Sequence, residues 1–233
     1  MGKTMQWLCI IGLFLMVSAG TITAGGGTIF TALPHTIEKN AIYVFYLHGR
    51  IIETEGRRPT HPRFGIYEYD MILKTLADSG FIVISEARPA DTRTLPYAHK
   101  VAAQIDSLIQ VGVPPSQITV IGASKGAAIA GFVSAIVNHP EVRYVILSIC
   151  NQRMVTRWLQ NGGPFSGHVL YIYETSDPIG QSCQPFFQQL AGSNLREFKE
   201  IKLDTGLHHG FLYRPLQEWV EPAVRWAKGL SIY

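Results

Sequence analysis

A serine in Gly122-Ala123-Ser124-Lys125-Gly126, an aspartate in Glu174-Thr175-Ser176-Asp177-Pro178 and a histidine in His208-His209-Gly210-Phe211 supply a nucleophile, an acid and a base. A serine hydroxyl is a weak nucleophile at neutral pH. It needs an imidazole to take its proton, and the imidazole needs a carboxylate to fix its tautomer and stabilise its charged form. The chemistry such a set performs is attack on an acyl carbonyl. G-x-S-x-G alone is common by chance, but here it lies between the apolar run Gln117-Ile118-Thr119-Val120-Ile121 and the small-residue run Ala127-Ala128-Ile129-Ala130-Gly131. These read as a strand and a helix, the context in which this turn lifts a serine above a sheet. The turn strains the serine backbone, and side chains at the flanking glycines would collide with the neighbouring strand or helix. The plain alternative is a Gly-rich turn that merely joins two packed elements.

Asp177 follows a strand, where a loop can carry a carboxylate over the sheet edge; Asp-Pro also commonly starts turns. Asp204 is the rival acid, disfavoured because an Asp in a short loop tends to bond its own backbone. Of the adjacent histidines, His209 is preferred to His208 as the base. The oxyanion that develops during attack needs backbone donors. One is expected from the amide of Lys125, the residue after the nucleophile, and the other from the loop opened by His48-Gly49-Arg50, with Arg50 as the assignment and Gly49 as the alternative. His139 in a helix end, His99 within a helix, and His35, His61 and His168 lack clustered partners at ligand spacing, which predicts no catalytic metal. No cofactor is implied.

These residues must be held by a scaffold, and the chain alternates accordingly. Strands are expected at 41–47, 81–85, 117–121, 142–149, 169–173 and 198–203, and helices at 67–78, 97–110, 125–138, 185–190 and 215–228. Strands that are apolar on both faces and separated by helices predict an α/β fold in three layers, with a mostly parallel sheet covered on both sides. Every candidate above follows an expected strand end, where reactive groups gather in such sheets. Between 149 and 168 only a short segment is left, which implies no cap domain and an open site.

With 233 residues, 47% hydrophobic and 16% charged, the chain suits one domain, at 25–233. Residues 1–24 have the order of a secretory signal: Lys3, an apolar run from Trp7 to Val17, then Ser18, Ala19, Gly20 and Ala24. Cleavage between Ala19 and Ala24 implies a secreted or periplasmic protein without stable membrane insertion. An uncleaved anchor is the competing reading. Removing Lys3 lowers the net charge from +3 to +2, too small a bias for nucleic acid. Cys9 lies in the presumed signal, so Cys150 and Cys183 remain as a pair in an oxidising compartment. One disulfide is expected there, pinning the loop that carries Asp177; two unpaired thiols are the alternative. The 48–65 segment carries Arg50, Arg57, Arg58 and Arg63 against Glu53 and Glu55. With Lys125 and Arg88, this suggests a preference for anionic acyl or leaving groups, and His48, Arg57 and Arg58 are the candidate substrate contacts. Oligomeric state is not legible.

From residue 41 to the C-terminus, through His48-Gly49, the Ser124 pentapeptide, Asp177 and His209-Gly210-Phe211, the chain resembles an α/β-hydrolase, closest in style to small uncapped enzymes similar to dienelactone hydrolases and serine esterases. The order Ser124, Asp177, His209 is the order of that family. It departs from some members in lacking a His-Gly-Gly-Gly signature and in having a lysine after the nucleophile. The resemblance implies hydrolysis of small-molecule carboxylic esters through an acyl-enzyme on Ser124. A peptidase or amidase with the same residues, and a silent scaffold used for binding, are the alternatives.

Overall fold

The computed structural model describes residues 27–232; the expected signal segment and Cys9 lie outside the described residues. The first half runs β1 (Ile29–Phe30), β2 (Tyr43–Leu47), α1 (Arg50–Glu55), β3 (Thr60–His61), β4 (Gly65–Ile66), α2 (Tyr69–Asp78), β5 (Ile82–Ile84) and α3 (Thr94–Gln110). The second half runs β6 (Ile118–Ala123), α4 (Lys125–Val137), β7 (Arg143–Leu147), α5 (Gln152–Asn161), β8 (Phe165–Glu174), α6 (Phe187–Leu190), β9 (Ala191–Leu203) and α7 (Gln217–Ala227). Seven strands form one sheet in the order β1-β5-β2-β6-β7-β8-β9, with every pairing parallel. β3 and β4 form a separate antiparallel hairpin.

Strand alternation sends β2 side chains into two cores. Tyr43, Phe45 and Leu47 pack with α3, α4 and α5 on one face. Val44 and Tyr46 pack with α2 and α7 on the other. A parallel sheet needs such crossovers, so both faces are covered and the architecture is three-layered. The most central helix, α4, is buried along most of its length, and its small residues let it lie close to the sheet. Trp158 of α5 sits against Gly131 and donates from its indole N–H to the carbonyl of Ala128 at 2.9 Å.

Four local features differ from the sequence expectation. The segment after β7 is not a bare connection: α5 is the crossover to β8, its start capped by Asn151 Oδ1, which accepts from the Met154 amide at 3.0 Å, and its inner face formed by Met154, Val155 and Trp158. It packs on the sheet layer and is no cap. Residues 50–55, expected as a charged loop, form α1, a helix of 6 residues, too short for helical periodicity to register. β9 begins at Ala191 rather than at 198; its first half is a partly exposed edge strand whose sequence shows no clear apolar alternation to mark it. His139 lies beyond α4, which ends at Asn138 in the left-handed conformation (φ 47°).

Candidate active site

Between β6 and α4 the chain turns at Ser124 with φ 54° and ψ −114°, a conformation an L-residue adopts only under constraint. The constraint is close packing on either side. A Cβ at Gly122 would lie 2.3 Å from the carbonyl oxygen of Gly126, and one at Gly126 would lie 1.8 Å from that of Leu47 in β2. Glycine is therefore obligatory at both positions, and the turn holds Ser124 at the carboxyl end of the sheet.

His209 lies in a 3₁₀ turn, His208–Tyr213, after β9. Its Nε2 is 2.9 Å from Ser124 Oγ, and its Nδ1 is 2.6 Å from Asp177 Oδ2. An ionised carboxylate only accepts, so Nδ1 carries the proton and Nε2 is free to accept from the serine hydroxyl. Asp177 is 3% exposed. Burial pushes its carboxyl up, but hydrogen bonds from His209, Ser148 and the Ile179 amide outweigh this and hold its pKa below 3.8. The rival residues point elsewhere. His208 Nδ1 lies 2.6 Å from the Ser176 carbonyl oxygen, and Asp204 accepts from Thr175 Oγ1 at 3.0 Å.

Two supports of the acid were not read from the sequence. Ser148, at the end of β7, donates its hydroxyl to the same Asp177 Oδ2 at 2.6 Å. Ser148 and Ile149 have φ of 60° and 98°, and a β-branched residue at positive φ is a backbone outlier. Several contacts enforce it. The Ser148 amide donates to the Ile172 carbonyl at 2.8 Å, the Cys150 amide donates to Tyr171 Oη at 3.0 Å, and Cys150 is disulfide-bonded to Cys183 with Cα atoms 5.5 Å apart. Buried Glu174 supplies the second support: it accepts from the Thr205 amide at 2.8 Å and hydroxyl at 2.6 Å and from Ser176 Oγ at 2.9 Å, joining the acid-bearing loop to the histidine-bearing one. A serine two residues before a cysteine carries no pattern that flags it.

Lys125 and Arg50 are the first residues of α4 and α1, and first-turn amides have no acceptor within their helix. The Gly49 amide is instead directed to Tyr67 Oη at 3.4 Å. Gly49 nevertheless lies over the nucleophile, since a Cβ built on it would be 3.7 Å from Ser124 Cβ. His48 is no substrate contact. It is fully buried; its Nε2 accepts from the Arg88 amide at 2.9 Å and its Nδ1 lies 2.8 Å from the Gly49 carbonyl oxygen. Burial first, and the Arg88 charge second, lower its pKa to about 3, so it is a neutral structural residue.

The cleft at Ser124 has a volume of about 260 Å³. Gly49, Arg50 and Ile51 form one side, Phe64 and His61 of the β3–β4 hairpin another, and Tyr67, Ile179, Leu212 and Tyr213 the rest. His61 stacks on Phe64 with centroids 4.5 Å apart, so it belongs to the cleft wall, a role its isolated position in the sequence gives no hint of. Arg57 and Arg58 line a neighbouring cavity of about 380 Å³, where Arg57 pairs with Asp70 and lies 4.8 Å above the Tyr69 ring. Lys125 and Arg88 both pair with Glu53. Of the basic residues expected at an anion-selective mouth, Lys125 and Arg88 share the single carboxylate of Glu53, Arg57 pairs with Asp70, Arg57 and Arg58 line the neighbouring cavity, and Arg50 lines the cleft itself. Among the described residues no three His, Cys, Asp or Glu side chains gather as a metal site, and no helix is long and apolar enough to cross a membrane.

No protein-family model matches the chain, and no curated protein sequence matches it. Its structure is similar to that of Arabidopsis thaliana SOBER1, with a TM-score of 0.52 at 15% identity over 81% of this chain and 98% of that one. It is also similar to an esterase from Pyrobaculum calidifontis (TM-score 0.52, 18% identity, 83% and 77% covered) and to an arylesterase (TM-score 0.51, 15% identity, 83% and 76% covered). The fold is that of the α/β-hydrolases, with a parallel central sheet and, among the described residues, no cap.

Proposed function

We propose that the protein is an exported serine hydrolase that cleaves small carboxylic esters through an acyl-enzyme. One observation carries the reading: the hydrogen-bonded chain from Ser124 Oγ through His209 to Asp177 opens onto a cleft at the carboxyl end of the sheet. Ser124 Oγ forms a bond to the acyl carbon as its proton passes to His209 Nε2, and the carbonyl π pair moves onto oxygen. The amides of Lys125 and Arg50 receive that oxyanion; Arg50 is favoured over Gly49 because the Gly49 amide is directed to Tyr67. Collapse expels the alcohol, protonated by His209. Water, deprotonated by the same imidazole, then releases the acid. Asp177 holds the tautomer and offsets the imidazolium charge.

The size and lining of the cleft support esters with short or compact acyl groups, which about 260 Å³ walled partly by aromatic rings can hold. Catalysis at such a site requires no metal or organic cofactor. Export is supported by the Cys150–Cys183 bridge, which persists in an oxidising compartment. The similar esterase and arylesterase structures support ester over amide bonds.

The test is active-site labelling with a fluorophosphonate, alongside hydrolysis of a panel of acetate, butyrate and long-chain esters and peptide amides. Ser124→Ala and His209→Ala are expected to abolish labelling, with acetate and butyrate hydrolysed best. A folded wild type that neither labels nor hydrolyses any ester refutes the reading, and preferential cleavage of the amides replaces it with a peptidase.

A further inference from the structure

Behind the cleft lies a buried ion cluster that the acyl-transfer steps do not use. Glu53 Oε1 accepts from Arg88 Nε at 2.8 Å, Glu53 Oε2 accepts from Lys125 Nζ, and the Glu53 and Arg88 side chains are 1% and 0% exposed. Removing the Glu53 and Arg88 charges from water is costly, and apolar side chains of similar volume often stabilise a fold as well or better. Stability alone is therefore a poor account of the cluster. Its geometry suggests another. Glu53 sits one turn along α1 from Arg50, and Lys125 opens α4. Arg88 adds a hold two residues before α1 begins: its guanidinium donates to the His48 carbonyl, and its amide donates to His48 Nε2. Lys125 Nζ also donates to the Thr92 carbonyl at 2.6 Å, fastening the loop that carries Arg88.

The two helices that this carboxylate joins are the ones whose first amides face the reacting carbonyl oxygen in the function proposed above, on which this inference rests. We infer that Glu53 is the positioning residue of the oxyanion site: by binding the Lys125 side chain from within α1, it sets the separation of the Arg50 and Lys125 amides. The lysine after the nucleophile is then a tether rather than a substrate contact. A donor displaced by a fraction of an ångström loses effect in the transition state while ground-state binding barely changes.

The inference is tested by measuring kcat and KM separately on p-nitrophenyl acetate for the wild type, Lys125→Met, Lys125→Arg, Glu53→Gln and the double variant Glu53→Gln/Lys125→Met. Lys125→Met leaves the Glu53–Arg88 pair intact, so it guards against a result that reports only unfolding. It is expected to lower kcat about 10- to 100-fold with KM within about threefold, and Lys125→Arg to restore most of the loss. Glu53→Gln is expected to be slow as well, and the double variant no slower than Glu53→Gln alone, because both changes break one link. The cluster holds two cations and one carboxylate. A purely through-space effect therefore predicts that Glu53→Gln, which leaves more positive charge near the oxyanion, is faster than wild type. That outcome overturns the inference, as do additive losses, a loss seen in KM alone, or Lys125→Met with wild-type kcat. A wild type without esterase activity instead fails the proposed function itself.

Discussion

Replacing Ser148 by alanine and by glycine separates two things this residue does. Its hydroxyl donates to Asp177 Oδ2 at 2.6 Å in a site where both residues are buried. A hydrogen bond to a charged group contributes about 1.5–3 kcal/mol. If all of it were expressed in the transition state, kcat would fall about 10- to 150-fold at about 1.4 kcal/mol per tenfold. Asp177 keeps two other donors, His209 Nδ1 at 2.6 Å and the Ile179 amide at 3.0 Å, so the carboxylate is loosened rather than released. The expected fall is therefore near the low end, about tenfold, with KM unchanged. The second effect is backbone strain. At φ 60°, Ser148 bears the left-handed penalty of an L-residue, about 1–2 kcal/mol, which glycine does not. Ser148→Gly should thus be about 1 kcal/mol more stable than Ser148→Ala in urea unfolding, while the two variants share the same kcat. Wild-type kcat in Ser148→Ala, or kcat values that follow the stability difference, would refute the assignment of a positioning role to the hydroxyl.

The Cys150–Cys183 bridge closes a loop with a sequence separation of 33, which the chain-entropy relation values at about 4 kcal/mol. Reduction, or the paired change of both cysteines to alanine, should lower the thermal midpoint markedly and slow ester hydrolysis, because Ser148 and Asp177 flank the bridge. Burial pushes the Glu174 carboxyl up, yet hydrogen bonds from Thr205 and Ser176 outweigh it and hold its pKa at about 2 against an ordinary 4.5. A depressed folded pKa adds stability that is full above 4.5 and is lost as pH falls from there through about 2. Urea midpoints taken across that window should fall less steeply with acid in Glu174→Gln than in wild type. Phe64 walls the cleft, so Phe64→Ala should raise kcat/KM for a bulky acyl ester relative to acetate by about fivefold or more; an unchanged ratio would show that acyl groups bind elsewhere.

Much of the frame was legible because its signals are local. The runs at 41–47 and 117–121 are apolar on both faces, as strands buried between helix layers must be, and both became central strands. Gly122 and Gly126 marked a turn with no room for side chains, and contacts of 2.3 and 1.8 Å give the reason. Ser124, Asp177 and His209 could be grouped since each follows a strand, and parallel strands deliver their carboxyl ends to one edge. α1 is not legible in the sequence because six residues are too few to show a period, whereas the Asn151 cap and inward Trp158 of α5 are local signals that the sequence does carry.

Whether a charge is free or spent was beyond the sequence. Lys125, Arg88 and Arg57 look alike as residue types near a reactive turn, and only folding brings Glu53 to within bonding distance of Arg88, 35 positions away, and of Lys125, 72 away. His48 is likewise a plausible contact until burial and the Arg88 amide make it a neutral strut. Ser148 becomes part of the site only when β7 and the loop after β8 are side by side. Hydrophobic period and glycine placement are properties of neighbouring residues, and they determined the elements and the candidate nucleophile. Solvation and ion pairing depend on residues far apart in the chain, and the tertiary structure alone decided them.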